Sequence, residues 1–294
     1  MAFVVAASIV PAALIALLLV GYDSYARERG ILERDSLGTA RALVAAVDAK
    51  IDGITSALFA LATSPALASD DLAAFHRQAS AALKDQSFSN VVLIGPDGQQ
   101  RLNTLRPFGA ELPVDSNPEL ERIFTAGKPV VTNLFTGPVS DRPLVAVGVP
   151  VREGETVRYS LNAGIFAERL GAILEEHKPP EGWITTVLDG KGTLVARNRD
   201  ASRFVGQAGV PELLERLEQA GEGTLEAVNR EGTPMVMVYS RSPASGWTVT
   251  LGIPKAELMR NTWLSVVRLA IVGFVLLATA LALSILIGRR LARG

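Results

Sequence analysis

Three side chains that follow a glycine turn suit one shared chemical task. Arg101, Asn103 and Arg106 come just after Gly98, in the stretch NVVLIGPDGQQRLNT (90–104) and its continuation. If this stretch is a strand, alternation places Arg101 and Asn103 on one face and Leu102 on the other. A guanidinium presents a planar fork of N–H donors and an amide adds another, a set that matches the two oxygens of a carboxylate. Asp141, in a later loop, adds an acid able to accept an ammonium group. The expected ligand is a small carboxylate or an amino acid, although any one of these residues read alone is an ordinary solvated strand or loop position.

Groups for catalysis are sparse. His76 lies beside Arg77 on a polar helical face, and His177 falls in EEHK (175–178) at a helix end that favours a cation. Both read as capping or solvated residues, because a general base needs a partner and a cleft. The run Gly190-Lys191-Gly192-Thr193 lacks the earlier glycine and the following helix of a phosphate loop, so it reads as a hairpin turn. Cysteine is absent, which excludes disulfides, thiolate catalysis and cysteine-held metal or haem. No enzyme, metal or cofactor is expected. A formal net charge of -1 leaves no basic footprint for nucleic acid.

The elements that must position these residues occur twice. Asn90 to Thr104 reads as strand, Pro-Asp-Gly turn and strand, and TTVLDGKGTLVARN (185–198) repeats the shape at an offset of 94 residues. PLVAV (143–147) then matches PMVMV (234–238) at an offset of 91, and LNAGI (161–165) matches VTLGI (249–253) at 88. Ordered blocks with slowly drifting offsets predict one unit present twice, with loops absorbing the drift.

Both ends of the 294 residues are apolar, which accounts for a mean hydropathy of +0.27. Met1–Tyr22 and Leu269–Gly288 carry no charge and are long enough to cross a hydrocarbon core of about 30 Å. The first lacks a small-x-small cleavage site and is expected to be retained. Arg289, Arg290 and Arg293 predict a cytoplasmic C-terminus. The expected protein is thus a two-pass inner-membrane protein with residues 23–262 outside the cytoplasm.

Between the spans, Leu37, Ala40, Val44, Val47, Ile51, Ile54, Leu58 and Leu61 form a stripe spaced alternately by three and four, and Pro65 ends it. The stripe suits packing on its own domain as well as the seam of a parallel homodimer, and a homodimer is expected. The predicted organisation is a transmembrane helix at 1–22, a stalk helix at 23–64, and sheet modules at 65–178 and 179–258. A second transmembrane helix at 263–288 and a stub at 289–294 complete it. Helices are expected from Asp70 to Lys84, Phe166 to Glu176 and Val210 to Ala220, with a polar, proline-rich excursion from Arg106 to Lys128.

This order of retained span, long helix, two sheets with Asp-Gly turns, and SPASGWTVTLGIPKAEL (242–258) before a second span resembles the double Cache family. VLDGKGTLVARNRDASRFVGQ (187–207) and SGWTVTLGIPKAEL (245–258) particularly resemble the membrane-proximal module of sensor kinases. The resemblance implies an α+β fold of two tandem PAS-like antiparallel-sheet modules on a long N-terminal helix, flanked by membrane helices. It implies the extracytoplasmic input region of a sensor histidine kinase, chemoreceptor or diguanylate cyclase, with ligand in the first module. The alternative is a membrane-anchored module that binds a protein partner. VVTNLFTGP (130–138) resembles the family's pocket-lining segment and adds Asn133 and Phe135 to the expected site. Amino-acid-sensing members carry a Tyr, Arg, Trp-Tyr and Asp set, whereas this chain has Arg122-Ile123-Phe124 in the Arg, Trp-Tyr part, so an organic acid is implied as readily. Gly246 and Trp247, opening the last strand, are expected to couple the second module to the membrane. GRRLARG (288–294) resembles the opening of a linker to an output domain, so the chain reads as a receiver without its output.

Overall fold

A computed structural model describes residues 2–83, 88–176 and 179–257, together with 267, 271–275, 278, 279 and 282. For residues 2–29, 31, 32, 173, 175 and 176 the description is of backbone alone. The expected span at 1–22 therefore has no described side chains. Most of the span at 263–288, the stub at 289–294, Lys84 and His177 lie outside the described residues. Among the described residues no helix is long and apolar enough to cross a membrane. The chain divides into two units, residues 37–252 and a second made of 1–36 with 253–294.

The first helical elements are α1 (Ala2–Ala62), α2 (Pro65–Ala68) and α3 (Leu72–Ala82). Asp71 caps α3 by accepting from the Ala74 N–H at 2.9 Å, so the helix begins at Leu72 and not at the expected Asp70. The first sheet module follows with β1 (Asn90–Ile94), β2 (Gln100–Asn103), α4 (Pro118–Ala126), β3 (Val130–Val131), β4 (Phe135–Thr136), β5 (Pro143–Glu153) and β6 (Thr156–Phe166). Helix α5 (Ala167–Glu176) leads to β7 (Ile184–Leu188), β8 (Leu194–Arg197), α6 (Ala201–Phe204), α7 (Pro211–Gln219), β9 (Glu222–Val228), β10 (Pro234–Arg241) and β11 (Thr248–Pro254).

The two antiparallel sheets share one topology. Their orders are β2-β1-β6-β5-β3, with β4 also on β5, and β8-β7-β11-β10-β9. Each first hairpin carries the same irregularity: Leu93 faces Leu102 but Ile94 faces Gln100, and Val187 faces Ala196 but Leu188 faces Leu194. Arg101 and Val195 are thus the extra residues of two β-bulges, 94 positions apart. Helix α4 was not expected within the polar excursion. Its only buried residues are Leu120 and Ile123, too few for a clear period, but it has an Asn117 cap, a proline in the first turn and Gly127 in the left-handed region at φ 61°. It matches α7, PELER (118–122) against PELLER (211–216).

One face of each sheet holds its own helix. Val92, Ile94, Leu144 and Ala146 pack with Leu120 and Ile123 of α4, while Leu188, Leu194, Met235 and Met237 pack with Leu213 and Leu217 of α7. The other face is buried too, with Val91, Leu93, Val187 and Val249 at most 2 % exposed, which is why β1 reads as an apolar run, VVLI, without alternation. The α1 stripe from Ala40 to Leu61 is at most 8 % exposed within a single chain. It packs on its own domain, so the expected dimer seam along it is corrected.

Candidate functional site

A cavity of about 30 Å³ lies between the first sheet and α4. The bulge builds it. By pairing Gln100 with Ile94 and Asn103 with Val92, the bulge turns both amides to the face that holds α4, and it leaves Arg101 outside. The expectation that Arg101 shares a face with Asn103 is corrected accordingly. Arg101 is exposed and donates from Nη2 to Asp97 at 2.5 Å.

The cavity wall carries a chain of hydrogen bonds with one direction. Asn90 Nδ2 donates to Asn103 Oδ1 at 3.4 Å, Asn103 Nδ2 to Gln100 Oε1 at 3.0 Å, and Gln100 Nε2 to Asp115 Oδ2 at 3.4 Å. The carboxylate can only accept, so the amides are oriented toward it. Asp115 reaches this place because its N–H donates to the Gly98 carbonyl at 2.8 Å, drawing the excursion back onto the hairpin turn. At the other end Asn90 Oδ1 is buried without a partner. A buried acceptor left unpaired costs roughly 1–3 kcal/mol, so it is a ready attachment point for a donor. Asn162, from β6, bonds to Ser160 across the same wall, with Nδ2 donating to its carbonyl and Oδ1 accepting from its hydroxyl, both at 3.0 Å. The lining holds one acid, Asp115, and no base.

Two open clefts adjoin the cavity, of about 320 Å³ and 530 Å³. Asp115 lines all three spaces, Leu120 is shared with the larger cleft, and Phe135 and Pro138 with the smaller. These side chains form the partition.

The expected residues are therefore divided. Asn103 and Phe135 line the cavity. Arg106 is exposed beyond β2, its carbonyl accepting from His76 Nε2 at 2.9 Å, and Asp141 is exposed in a turn at φ 52°; neither lines the cavity or its clefts. Asn133 lines the smaller cleft and ties the two modules together. Its N–H donates to Glu119 Oε2 at 2.6 Å, its side-chain amide donates to Glu119 Oε1, and its Oδ1 accepts from the Lys191 N–H at 3.2 Å. Lys191 Nζ stands 3.4 Å from Glu119, and the Leu134 N–H donates to the buried Asp189 at 2.9 Å. Partial burial pushes the Glu119 carboxyl up, but the Asn133 donors and the Lys191 ammonium outweigh it and hold the group below the usual carboxylate range.

Asn90, Gln100, Asp115 and Asn162 were not among the expected residues. Asn90 and Asn162 had a legible signal, being amides inside otherwise apolar strand runs, NVVLI and SLNAGI. Gln100 needed the bulge and Asp115 the return of a loop. At the other end of the unit, Trp247 is buried, and the turn before it, with Gly246 at φ 74°, is clasped by α1. Asp48 accepts from the hydroxyls of Ser242 and Ser245 at 2.7 and 2.9 Å.

No protein-family model matches the sequence, and no curated protein matches it. Solved structures do. A methyl-accepting chemotaxis protein X aligns with a TM-score of 0.63 at 16% identity, covering 78% of this chain and 99% of its own. The ligand-binding domain of the Pseudomonas fluorescens chemoreceptor CtaA, in complex with L-isoleucine, gives 0.59 at 11% over 79% and 96%. The sensor domain of the V. cholerae histidine kinase DctB gives 0.57 at 10% over 77% and 98%. At these identities the likeness shows the fold, which is that of double Cache sensor domains, with two PAS-like modules in tandem.

Proposed function

We propose that this chain is the extracytoplasmic input region of a bacterial transmembrane receptor of the sensor-kinase type, and that its first module binds a small amine-bearing ligand, foremost an amino acid. The observation that carries this reading is the unpartnered Asn90 Oδ1 at the head of a buried amide chain that ends on Asp115. Asp115 accepts the ligand's ammonium group, and the amides of Asn90, Gln100 and Asn103 supply donors and acceptors for the rest. A space of about 30 Å³ holds only a few waters, so an amino acid enters by displacing the Phe135–Pro138 partition toward the clefts. Binding that favours the opened arrangement is then the signal. Support for the ligand class comes from the chemoreceptor of the same fold solved with L-isoleucine and with L-serine. The receptor spans the membrane twice, through 1–22 and 263–288, and Gly246 and Trp247 pass the change to the second span. Chemoreceptors share the fold with kinases, so the input region of a chemoreceptor is the second reading.

Calorimetry of the full chain in detergent, against the amino acids and against short organic acids, tests the site. Amino-acid binding that weakens by at least about tenfold in Asp115→Asn and is unchanged in Arg106→Ala supports it. Binding of organic acids alone, lost in Arg106→Ala, overturns it.

A further inference from the structure

The second module has a cavity of its own, of about 50 Å³, at the place equivalent to the first. The duplication fixes the correspondence. In the first module Asn162, Val92 and Asn103 lie side by side across three strands; in the second the same row is Thr250, Thr186 and Arg197. The Asp115 N–H bond to the Gly98 carbonyl becomes a Gly209 N–H bond to the Gly192 carbonyl, also 2.8 Å. Glycine thus stands where the first module has its acid.

The chemistry is inverted as a result. Two arginines and no acid line this cavity. Arg197 is only 5 % exposed, and its guanidinium sits 4.0 Å over the Phe204 ring. Its Nη2 donates to Glu231 at 2.9 Å, and Glu231 itself is outside the lining. A guanidinium carries five N–H donors, so one such bond orients it without exhausting it. Thr186 and Thr250, both buried, place two hydroxyls in the same row. Facing them, Met235, Met237 and Leu213 make an apolar wall. Arg230 closes the rim, held by Nε to the Ala208 carbonyl at 2.8 Å.

We propose that the second module carries a separate ligand site for a short-chain monocarboxylate of the acetate or propionate size. The carboxylate meets Arg197 and the threonine hydroxyls, and the tail lies on the methionines. The volume holds a few water-sized groups, which fits a short monocarboxylate without moving a wall. One chain thereby reads an amine-bearing ligand in one module and a small acid in the other.

The test titrates the full chain in detergent with sodium propionate, against sodium chloride at equal ionic strength, by calorimetry and thermal shift. Saturable propionate binding that chloride does not reproduce is expected. Thr186→Val installs the residue that the first module has at that place and should weaken propionate about tenfold. The double variant Arg197→Met with Glu231→Gln removes both charges together, leaving no orphaned ion, and should abolish binding while the chain still melts cooperatively. Absence of saturable binding in the wild type, binding that chloride matches, or binding that survives Thr186→Val undiminished overturns the proposal.

Discussion

Asn90 and Gly164 show how closely the first cavity is tuned at the level of single atoms. They pair across β1 and β6, and a Cβ on Gly164 would stand 2.2 Å from Asn90 Oδ1, far inside contact distance. At the equivalent Gly252 the nearest atoms are 3.2 Å away and belong to the flexible Met235 side chain. Gly164→Ala should therefore destabilise by about 1–3 kcal/mol and abolish ligand binding, with Gly252→Ala milder. Urea denaturation of the two variants compares them. Glu119 makes a second prediction. Its carboxyl is held below its unfolded value, so its contribution is fully present above an unfolded pKa of about 4.3 and is lost as pH falls through the folded one. Stability of the wild type should fall across that acid window more steeply than that of Glu119→Gln; equal slopes would remove Glu119 from the junction.

Among the elements, α1 buries an apolar stripe from Ala40 to Leu61 within its own chain. Leu58 is fully buried, so Leu58→Ala should cost about 2–5 kcal/mol in a denaturation experiment. Cysteine at Val47 or Ile51 should stay unreactive toward a neighbouring subunit, because both positions are covered by their own chain. Rapid cross-linking there would restore the dimer seam. The clasp of Asp48 on Ser242 and Ser245 links this helix to the turn that opens β11. Asp48 is half-buried, so this tie is less exposed to solvent than the ion pair of Arg41 with Glu222.

For the whole molecule the decisive question is orientation across a membrane. The hairpin turn at Gly154 is exposed, so a periplasm-active reporter fused after it should be active, whereas one fused after Gly294 should be silent. The reverse pattern would refute the two-pass reading. In a receptor joined to an intact output domain, Trp247→Ala should bind ligand yet signal poorly, because the buried indole sits where the last strand begins.

By itself the sequence determined the duplication, the strand blocks, α5 and α7 to within one residue at each end, and the apolar stripe, because periodicity and turn chemistry are local properties of the chain. It also marked Asn103 and Phe135. Tertiary structure alone decided the rest. Strict alternation misplaced Arg101 because one inserted residue in β2 reverses the facing of what precedes it, and no local signal announces the insertion. Asp115 joins Gln100 because backbone bonds from the Asp115 N–H to the Gly98 carbonyl and from the Gln100 N–H to the Pro113 carbonyl close a long excursion, and α4, despite its Asn117 cap and Gly127, has too few apolar residues to show a period. The stripe was equally compatible with two partners in sequence, since burial depends on what comes to cover a face, and that is a property of the folded chain.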